Sequence, residues 1–315
     1  LVNLENVNFV PLGRSIPFPT AGSIARISIS LWHEWRLKSF LESVYVHSKK
    51  KIPVLFSTDE AIVFWLNNQK ILEPYCEVFN KDVNKFFDKK LFYNSLVSNG
   101  IRHPKNYSRS DLSFIQFPVI IKPSSKEYGF NKLEKNKFIR QFKKKIIVAN
   151  DEIKLKSILN KYKGPVIIQQ KLDFSIGDEY SCWVISNGKE FFEYSGQHKY
   201  KHPDKMGRIS KIGFKDVTEV RKLGRDVISK LGFQGIADVQ IVKNKIDSKF
   251  YVIEMNPRLW CSHEIFLMNG VNIINKLLCD YYDLSLNFNS NINYNESVNW
   301  YSSMYNIGKK RRLRK

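Results

Sequence analysis

Two strands predicted at residues 236–242 and 250–255 carry the side chains most suited to chemistry. Each alternates apolar and polar residues, and a polar turn of Lys, Asn and Asp joins them, which is typical of an antiparallel hairpin. If the strands pair, Gln240 lies near Glu254 and Asn256, so that a carboxylate and two amides meet on one surface. Such hard oxygen donors suit Mg²⁺, which keeps several waters and takes further oxygens from substrate phosphates.

Side chains alternate between the two faces of a strand, so the sequence also predicts which residues of these two strands share a face. It predicts that Glu254 and Asn256 share a face with Phe250 and Val252. It also predicts that Asp238 and Gln240 point to the same side of the first strand. Polar groups among apolar side chains need partners that offset their desolvation. The spacing alone therefore leaves two interpretations open, a magnesium site or a hydrogen-bonded polar network at a sheet edge.

A second chemical feature is a lysine near the end of an apolar strand. Residues 117–123 are predicted to form this strand, and Lys122 lies near its end. In a chain with 51 Lys and Arg, the ordinary interpretation of any one lysine is a surface position. An unpaired ammonium at the end of a buried strand is costly, so this position indicates an anionic partner for Lys122.

Helices and strands predicted along the chain must position these groups. Asp88 is expected to cap a helix that runs to Asn99 and that Gly100 closes. Its inner face is predicted to consist of Leu91, Phe92, Ser95 and Leu96. The remaining elements are strands at 53–56, 164–170, 179–185 and 190–194, helices at 60–67 and 216–231, and a hairpin turn at Asn187-Gly188.

The pentapeptide Glu254-Met255-Asn256-Pro257-Arg258 resembles the E-x-N-P-R signature of ATP-grasp enzymes. Gln240 fills the position where many of them carry the first metal-binding Glu, and a Gln there resembles the carbamoyl-phosphate-synthetase branch. Other segments resemble the family in the same order along the chain, over roughly residues 55 to 280. They are Asp88-Lys89 with Gly100-Ile101 and Pro104, the strand at 117–123, residues 166–172 with Gly177-Asp178-Glu179, and Gly270-Val271-Asn272.

This resemblance implies a role for each motif residue. Lys89 and Lys122 would contact the ATP phosphates, and Glu179 would hold the ribose hydroxyls. Arg258 would face the reacting carboxylate or the acyl phosphate, because a guanidinium makes two parallel hydrogen bonds to a planar oxyanion. The implied adenine contacts are Gln169 or Gln170 at the exocyclic amine with backbone groups of Lys171 and Leu172, and the implied metal ligands are Gln240, Glu254 and Asn256.

The resemblance also implies a fold of the α/β (α+β) class. An N-terminal α/β lobe at residues 1–85 would precede a central lid subdomain at 86–173. A C-terminal antiparallel sheet at 174–286, with the metal site, would complete the enclosure of ATP. Residues 287–315 are expected to form a polar, basic tail with little core.

The implied activity is ATP-dependent ligation of a carboxylate to an amine through an acyl phosphate, with Mg²⁺ or alternatively Mn²⁺ as the metal. One alternative keeps the fold and phosphorylates a small acid without forming an amide. Another, suggested by the net charge of +21, is a non-enzymatic binder of nucleic acid or anionic membrane. The basic segment 309–315 would be the docking element in that case.

Composition narrows the setting in which such a protein works. Twenty-two Phe, fifteen Tyr and six Trp indicate a folded chain. Four widely spaced cysteines and no apolar run of membrane-spanning length favour a reducing, cytoplasmic location. The positive charge suggests that at least one of the small-molecule substrates is anionic, and a homodimer is a candidate assembly because similar enzymes often dimerise. The sequence opens at Leu1 without Met, which suggests a fragment or a processed product.

Overall fold

The computed structural model describes residues 38–39, 41–43, 45–46, 49–109, 112–124, 131–202, 208–282 and 298–302. The basic segment 309–315, to which the sequence assigned a docking role, lies outside these residues. Within them, no helix has both the length and the apolar character that crossing a membrane requires.

The N-terminal part is a small parallel β-α-β unit. Strand β1 (Ile52–Val54) pairs with β2 (Cys76–Val78), and helix α1 (Asp59–Leu72) connects them. The Thr58 side chain caps α1 by accepting a hydrogen bond from the Ala61 amide. This confirms the predicted α/β unit, although α1 extends beyond both predicted ends. A short helix α2 (Val83–Phe87) follows.

Helix α3 (Lys89–Ser98) begins as the sequence predicts. The Asp88 carboxylate accepts hydrogen bonds from the Lys90 and Leu91 amides, and Gly100 adopts a φ of 62° just beyond the helix. The predicted inner face is wrong by about one position, because Leu91 is 46 % exposed. The buried side chains are Phe92, Tyr93 and Leu96. The core therefore lies on the side of α3 that carries a tyrosine.

A four-stranded antiparallel sheet follows, in the order β3-β6-β4-β5. Its apolar side chains pack against two helices, with Val119, Ile121, Phe138, Leu155 and Ile168 in one cluster. The strands are β3 (Asn106–Tyr107), β4 (Val119–Pro123), β5 (Ile147–Ala149) and β6 (Val166–Gln170), and the helices are α4 (Asn131–Phe142) and α5 (Glu152–Lys161). The predicted strands at 117–123 and 164–170 are thus confirmed, with shorter limits.

The larger sheet has six antiparallel strands in the order β11-β10-β7-β8-β9-β12. The hairpin turn predicted at Asn187-Gly188 joins β7 to β8, and Gly188 has a φ of 89°. The strands are β7 (Glu179–Ser186), β8 (Phe191–His202), β9 (Arg208–Phe214), β10 (Gly235–Lys243), β11 (Phe250–Asn256) and β12 (Asn299–Tyr301).

Three helices complete the described chain: α6 (Thr218–Leu231), α7 (Glu264–Leu267) and α8 (Ile273–Tyr282). Gly232 closes α6 with a φ of 65°. Beyond residue 286, where the sequence predicts little core, the described residues include the short edge strand β12, none of whose residues is fully buried. This strand pairs with β9, and Trp300 packs against an aromatic cluster that includes Trp183 and Phe266.

A β-bulge at Ile253 corrects the predicted faces of β11. Gln240 pairs with Glu254, whereas the next residue of β10, Ile241, pairs with Val252. Consecutive residues of β10 point to opposite faces, and directly paired residues share a face, so Glu254 and Val252 lie on opposite faces. The prediction that they share one is therefore wrong, because it counted alternation without an extra residue.

The six-stranded sheet thus has two chemically distinct faces. The face that packs against α6, called the core face, carries Tyr180, Cys182, Val184, Val239, Ile241, Val252 and Met255. The opposite face is called the polar face where it carries Glu179, Ser181, Asp238, Gln240, Glu254 and Asn256. The aromatic cluster around Trp183 covers the rest of that side.

Candidate active site

Glu254 on the polar face meets a lysine from helix α3. The Lys89 Nζ atom lies 3.3 Å from Glu254 Oε1, and both side chains are partly exposed. Lys89 is the first residue of α3, so the cap formed by Asp88 fixes the position of the backbone that carries this side chain. Two motifs that are 165 positions apart in sequence are thereby joined in an ion pair.

Lys122 is held in a buried polar group formed by β4, β6 and α3. Its side chain is 8 % exposed. Its Nζ atom donates to Tyr93 Oη at 3.0 Å and to Gln169 Oε1 at 3.1 Å. Tyr93 in turn donates to the carbonyl of Ile253, the bulged residue of β11. Gln169 donates to Asn106 Oδ1 at 2.8 Å, so both ends of its amide are engaged.

Burial controls the protonation of this group. It lowers the pKa of Lys122 to about 8, and the Glu254 carboxylate partly opposes that shift. Burial also raises the pKa of Tyr93 to about 12, so that the phenol stays protonated and keeps its role as a donor. Among the described residues, Lys122 has two neutral hydrogen-bond partners and no ion pair. The site is therefore suited to receive an anion.

The register of β10 and β11 brings the predicted metal ligands together. Gln240 pairs with Glu254, and Asp238 pairs with Asn256, so all four side chains lie on the polar face. Asn256 Nδ2 is 3.4 Å from Asp238 Oδ2, while the other oxygen of Asp238 is buried without a hydrogen-bond partner among the described residues. An orphaned buried carboxylate oxygen of this kind indicates a polar partner that the described residues do not supply.

This donor set fits Mg²⁺. The three predicted ligands provide one carboxylate and two amide oxygens on neighbouring strands. Among the described residues, no group of three His, Cys, Asp or Glu side chains forms a complete metal cage. A sparse set of oxygen ligands is what Mg²⁺ uses when water and substrate phosphates complete its shell.

Arg258 is positioned by the N-terminal unit. Its Nε donates to Asp59 Oδ1 at 2.5 Å, and its Nη1 donates to the Leu259 carbonyl at 3.2 Å. The Leu259 amide donates to the Phe56 carbonyl at 2.8 Å. Asn80, which is fully buried, donates to the carbonyl of Pro257 at 2.6 Å. The segment after β11 is thus fixed by residues near the ends of β1 and β2.

The predicted adenine segment follows β6. The Gln170 amide donates to the Lys105 carbonyl at 2.8 Å, and the Lys171 amide donates to the Pro118 carbonyl at 3.1 Å. Leu172 is buried. These bonds tie the chain after β6 to the loops before β3 and β4, so its position is set by neighbouring backbone.

Glu179, the predicted ribose ligand, starts β7 and is 3 % exposed. Its Oε2 atom pairs with Lys201 Nζ and lies 3.7 Å from His198 Nδ1. His198 Nε2 is 3.1 Å from Ser181 Oγ. In this state the carboxylate is therefore paired within the sheet.

The structure brings most of the predicted residues into two contacting groups. Lys89, Gln240, Glu254 and Asn256 form one, and Lys122 with Gln169 forms the other. The described contacts of Arg258 and Glu179 lead to Asp59 and Lys201 instead. The sequence reading missed the supporting residues Tyr93, Asp59, Asn80 and His198. Only Tyr93 had a sequence signal, because it lies one helical turn after Lys89.

Three solved structures illustrate the likeness of this fold to known proteins. Biotin carboxylase from Campylobacter jejuni has a TM-score of 0.59 at 13% identity, covering 81% of this chain and 59% of that one. Carboxyaminoimidazole ribonucleotide synthase from Aspergillus clavatus has a TM-score of 0.57 at 14% identity, covering 79% and 65%. L-amino acid ligase from Bacillus licheniformis has a TM-score of 0.50 at 17% identity, covering 77% and 57%. The chain thus spans less than two thirds of the length of each of these proteins.

No curated protein sequence matches the chain. The ATP-grasp domain family matches residues 86–262, which is more than half of the chain. This span begins just before α3 and ends just after the segment that carries Arg258, so it includes every residue of the candidate site except Asp59 and Asn80. The chain therefore belongs to the ATP-grasp domain family.

Proposed function

We propose that this protein is an ATP- and Mg²⁺-dependent ligase that activates a carboxylate as an acyl phosphate and transfers the acyl group to an amine, releasing ADP and phosphate. One observation carries the proposal. Lys89 of α3 pairs with Glu254 of β11, and Lys122 of β4 lies near enough for the Glu254 charge to oppose the lowering of its pKa, so two cations lie beside the proposed metal-binding carboxylate. Phosphoryl transfer requires this kind of preorganised charge, because it depends mainly on positioning and electrostatics.

The base of ATP is proposed to bind along the segment after β6. The Lys171 amide already donates to Pro118, so its carbonyl is the group offered to the exocyclic amine. Leu172 would contribute a backbone group and an apolar surface. Both ends of the Gln169 amide are engaged, with Lys122 and Asn106, whereas the Gln170 side chain has one hydrogen bond, in which Oε1 accepts from the Lys105 amide at 3.3 Å. A carbonyl oxygen has two lone pairs, so Gln170 is the better side-chain candidate for the exocyclic amine.

Glu179 is proposed to bind the ribose hydroxyls. This requires its carboxylate to turn from Lys201, or to share its oxygens between the ammonium and a hydroxyl. A carboxylate has about four acceptor sites, so sharing is geometrically reasonable. Lys201 would then remain beside the nucleotide as a positive charge.

Lys89 and Lys122 are proposed to neutralise the phosphates. Gln240, Glu254 and Asn256 would hold the metal ion. When bound, Mg²⁺ supplies charge neutralisation at the phosphate oxygens. On binding, a phosphate would replace Glu254 as the partner of Lys89. Phosphate would also give the buried ammonium of Lys122 a negatively charged partner.

Arg258 is proposed to orient the reacting carboxylate and then the acyl phosphate. Asp59 occupies its Nε, so the Nη atoms are the ones available to the substrate. The carboxylate oxygen attacks the γ-phosphorus and ADP leaves. The amine nitrogen then attacks the acyl carbon and phosphate leaves, with loss of a proton from nitrogen. Water must be excluded between the two steps, because it would hydrolyse the acyl phosphate.

The setting of the reaction is part of the same proposal. The substrates would be a small carboxylate and a small amine in the cytoplasm, at least one of them anionic. One of the similar structures is named an L-amino acid ligase, which supports amide formation as the outcome. A homodimer and a contact of the basic tail with anionic membrane or nucleic acid remain predictions.

Calorimetric binding of a non-hydrolysable ATP analogue, with and without Mg²⁺, tests the proposal. We expect the wild type to bind the analogue tightly only when Mg²⁺ is present. We expect Glu254→Ala to bind it weakly with or without Mg²⁺. Glu219→Ala is the matched control, because Glu219 is an exposed carboxylate on α6. Failure of the wild type to bind the analogue would contradict the proposal.

A second measurement separates amide formation from simple phosphorylation. ADP release would be followed for a panel of carboxylates with and without an added amine. A ligase requires the amine for rapid turnover and for formation of the amide. Equal ADP release without the amine, and no amide, would favour the alternative in which a small acid is phosphorylated.

A further inference from the structure

Asp238 is a buried carboxylate on the polar face that the proposed function does not use. It lies in the middle of β10, between Asn256 on one neighbouring strand and Trp183 on the other. The residue is only 5 % exposed. An apolar side chain would fill the same position at lower cost, because burying a carboxylate with few hydrogen bonds is expensive. The presence of Asp238 therefore needs a physical explanation.

The contacts of Asp238 point towards Asn256. One carboxylate oxygen, Oδ2, accepts a hydrogen bond from Asn256 Nδ2 at 3.4 Å, and the other has no hydrogen-bond partner among the described residues. Asp238 also acts on Arg258 through its charge, more weakly than Asp59 does. Its only described hydrogen bond is thus with a predicted metal ligand.

An asparagine side chain has two ends of opposite character. Its carbonyl oxygen binds a hard cation, whereas its NH₂ group cannot. A carboxylate accepts hydrogen bonds and donates none, so Asp238 stabilises only the rotamer that turns the NH₂ group of Asn256 towards β10. The planar amide then directs its oxygen away from Asp238. Residues that orient metal ligands in this way typically change metal affinity by about 10- to 100-fold.

We propose that Asp238 is a positioning residue, which fixes the amide of Asn256 with its oxygen directed to the metal. The inference rests on the proposed function, since it requires that Asn256 bind the ion. Asp238 itself need not touch the metal. It reduces the entropy that Asn256 loses on binding and excludes the amide orientation that would repel a cation.

Binding of Mn²⁺ in the presence of a non-hydrolysable ATP analogue tests this inference without turnover. Free Mn²⁺ is measured by electron paramagnetic resonance, and two variants are compared with the wild type. Asp238→Leu removes the acceptor and places a branched apolar side chain there, and we expect the Kd for Mn²⁺ to rise about 10-fold or more. Asp238→Asn removes the charge but keeps an acceptor oxygen, and we expect a rise of less than about threefold.

Glu219→Ala is the control, because it removes an exposed carboxylate on α6, the helix that packs against the core face rather than the polar face. It should leave the Kd for Mn²⁺ within about twofold. Analogue binding without metal, and the thermal unfolding curve, should stay near wild type in all three variants. Loss of metal-free analogue binding in Asp238→Leu, or a large fall in its thermal stability, would show a general structural role and overturn the inference.

Three further outcomes decide the matter. Unchanged Mn²⁺ affinity in Asp238→Leu would overturn the inference and leave the proposed function intact. Equal losses in Asp238→Asn and Asp238→Leu would mean that charge, rather than the hydrogen-bond acceptor, matters. No Mn²⁺ binding by the wild type would remove the proposed metal site itself, and the inference with it.

Discussion

The two faces of the six-stranded sheet are built from the same strands but differ in what they bury. On the core face, Cys182, Val184, Val239 and Ile241 pack against α6 and are almost completely buried. On the polar face, the neighbouring residues of the same strands are Ser181, Asp238, Gln240 and Glu254. Successive residues of one strand therefore lie on opposite faces, one in a buried apolar layer and the next in a charged site.

This difference divides stability from function. Each large apolar side chain on the core face contributes about 1.5–3 kcal/mol when it is buried. The polar face contains groups that cost free energy to bury, such as Asp238, which has one carboxylate oxygen without a hydrogen-bond partner among the described residues. The candidate site adds the buried ammonium of Lys122 from β4. Substitutions on the core face should therefore change folding, whereas those in the polar site should change ligand binding.

The sharpest test adds a carboxylate to each face at adjacent positions. Val239→Asp places an unpaired charge in the core face, and we expect a loss of more than about 4 kcal/mol in the free energy of unfolding, enough to prevent folding. Gln240→Glu adds the same charge to the polar face and should cost less than about 1 kcal/mol. Urea denaturation measures both. Similar losses in the two variants would mean that the faces do not differ as described.

Lys122→Met should affect binding and stability in opposite directions. The affinity for an ATP analogue with Mg²⁺ should fall about 100-fold, because a buried charge that pairs with phosphate is lost. The free energy of unfolding at pH 7 should rise by about 1 kcal/mol, since the folded protein no longer buries an ammonium. Calorimetry and denaturation check the two effects. A variant that is both weaker in binding and less stable would make Lys122 part of the structural core.

Gly224 on α6 tests the core face by overpacking. A Cβ atom there would lie 2.2 Å from Cys182 Sγ and 2.8 Å from Cys182 Cβ. We expect Gly224→Ala to lower the free energy of unfolding by about 1–3 kcal/mol and to leave the affinity for the ATP analogue unchanged. Addition of Cys182→Ala should recover part of the loss, because it removes the closer atom. Loss of nucleotide affinity in a folded Gly224→Ala would contradict the separation of the faces.

The smallest expected effect is a pH dependence of stability. Burial lowers the pKa of Lys122 to about 8, whereas an unfolded lysine titrates near about 10.4. Between these values the unfolded chain retains a proton that the folded protein has lost, so stability rises with pH in this window. The wild type should gain about 1 kcal/mol relative to Lys122→Met between pH 9 and 10. A constant difference between the two proteins would exclude a strongly desolvated Lys122.

Local signals in the sequence predicted several elements well. The cap at Asp88, the turn at Asn187-Gly188 and the end of α6 at Gly232 are all in the structure. Such features depend on neighbouring residues and on the few conformations that the backbone allows, so a short window contains the necessary information. The approach of Gln240 to Glu254 was expected from the pairing of the two predicted strands, whereas the exact register depends on the bulge at Ile253.

The bulge at Ile253 was not predictable from the same information. An alternating pattern does not show where a strand contains an extra, unpaired residue. Such a residue shifts the pairing by one position, so the residues on its two sides point to faces that simple alternation does not predict. The inner face of α3 was misjudged for a related reason. Leu91 and Tyr93 are both large, and the position of the sheet, rather than hydrophobicity, decides which of them is buried.

The sequence by itself determined the family resemblance, the order of the predicted elements and the residues that are proposed to bind phosphate and metal. Those properties depend on residue type and on spacing along the chain. Only the tertiary structure decided which partners these residues have. Arg258 pairs with Asp59, 199 positions away, and Lys122 with Tyr93 and Gln169. Contacts of this kind follow from how sheets and helices pack, because packing brings together side chains whose separation in sequence carries no information about their distance in space.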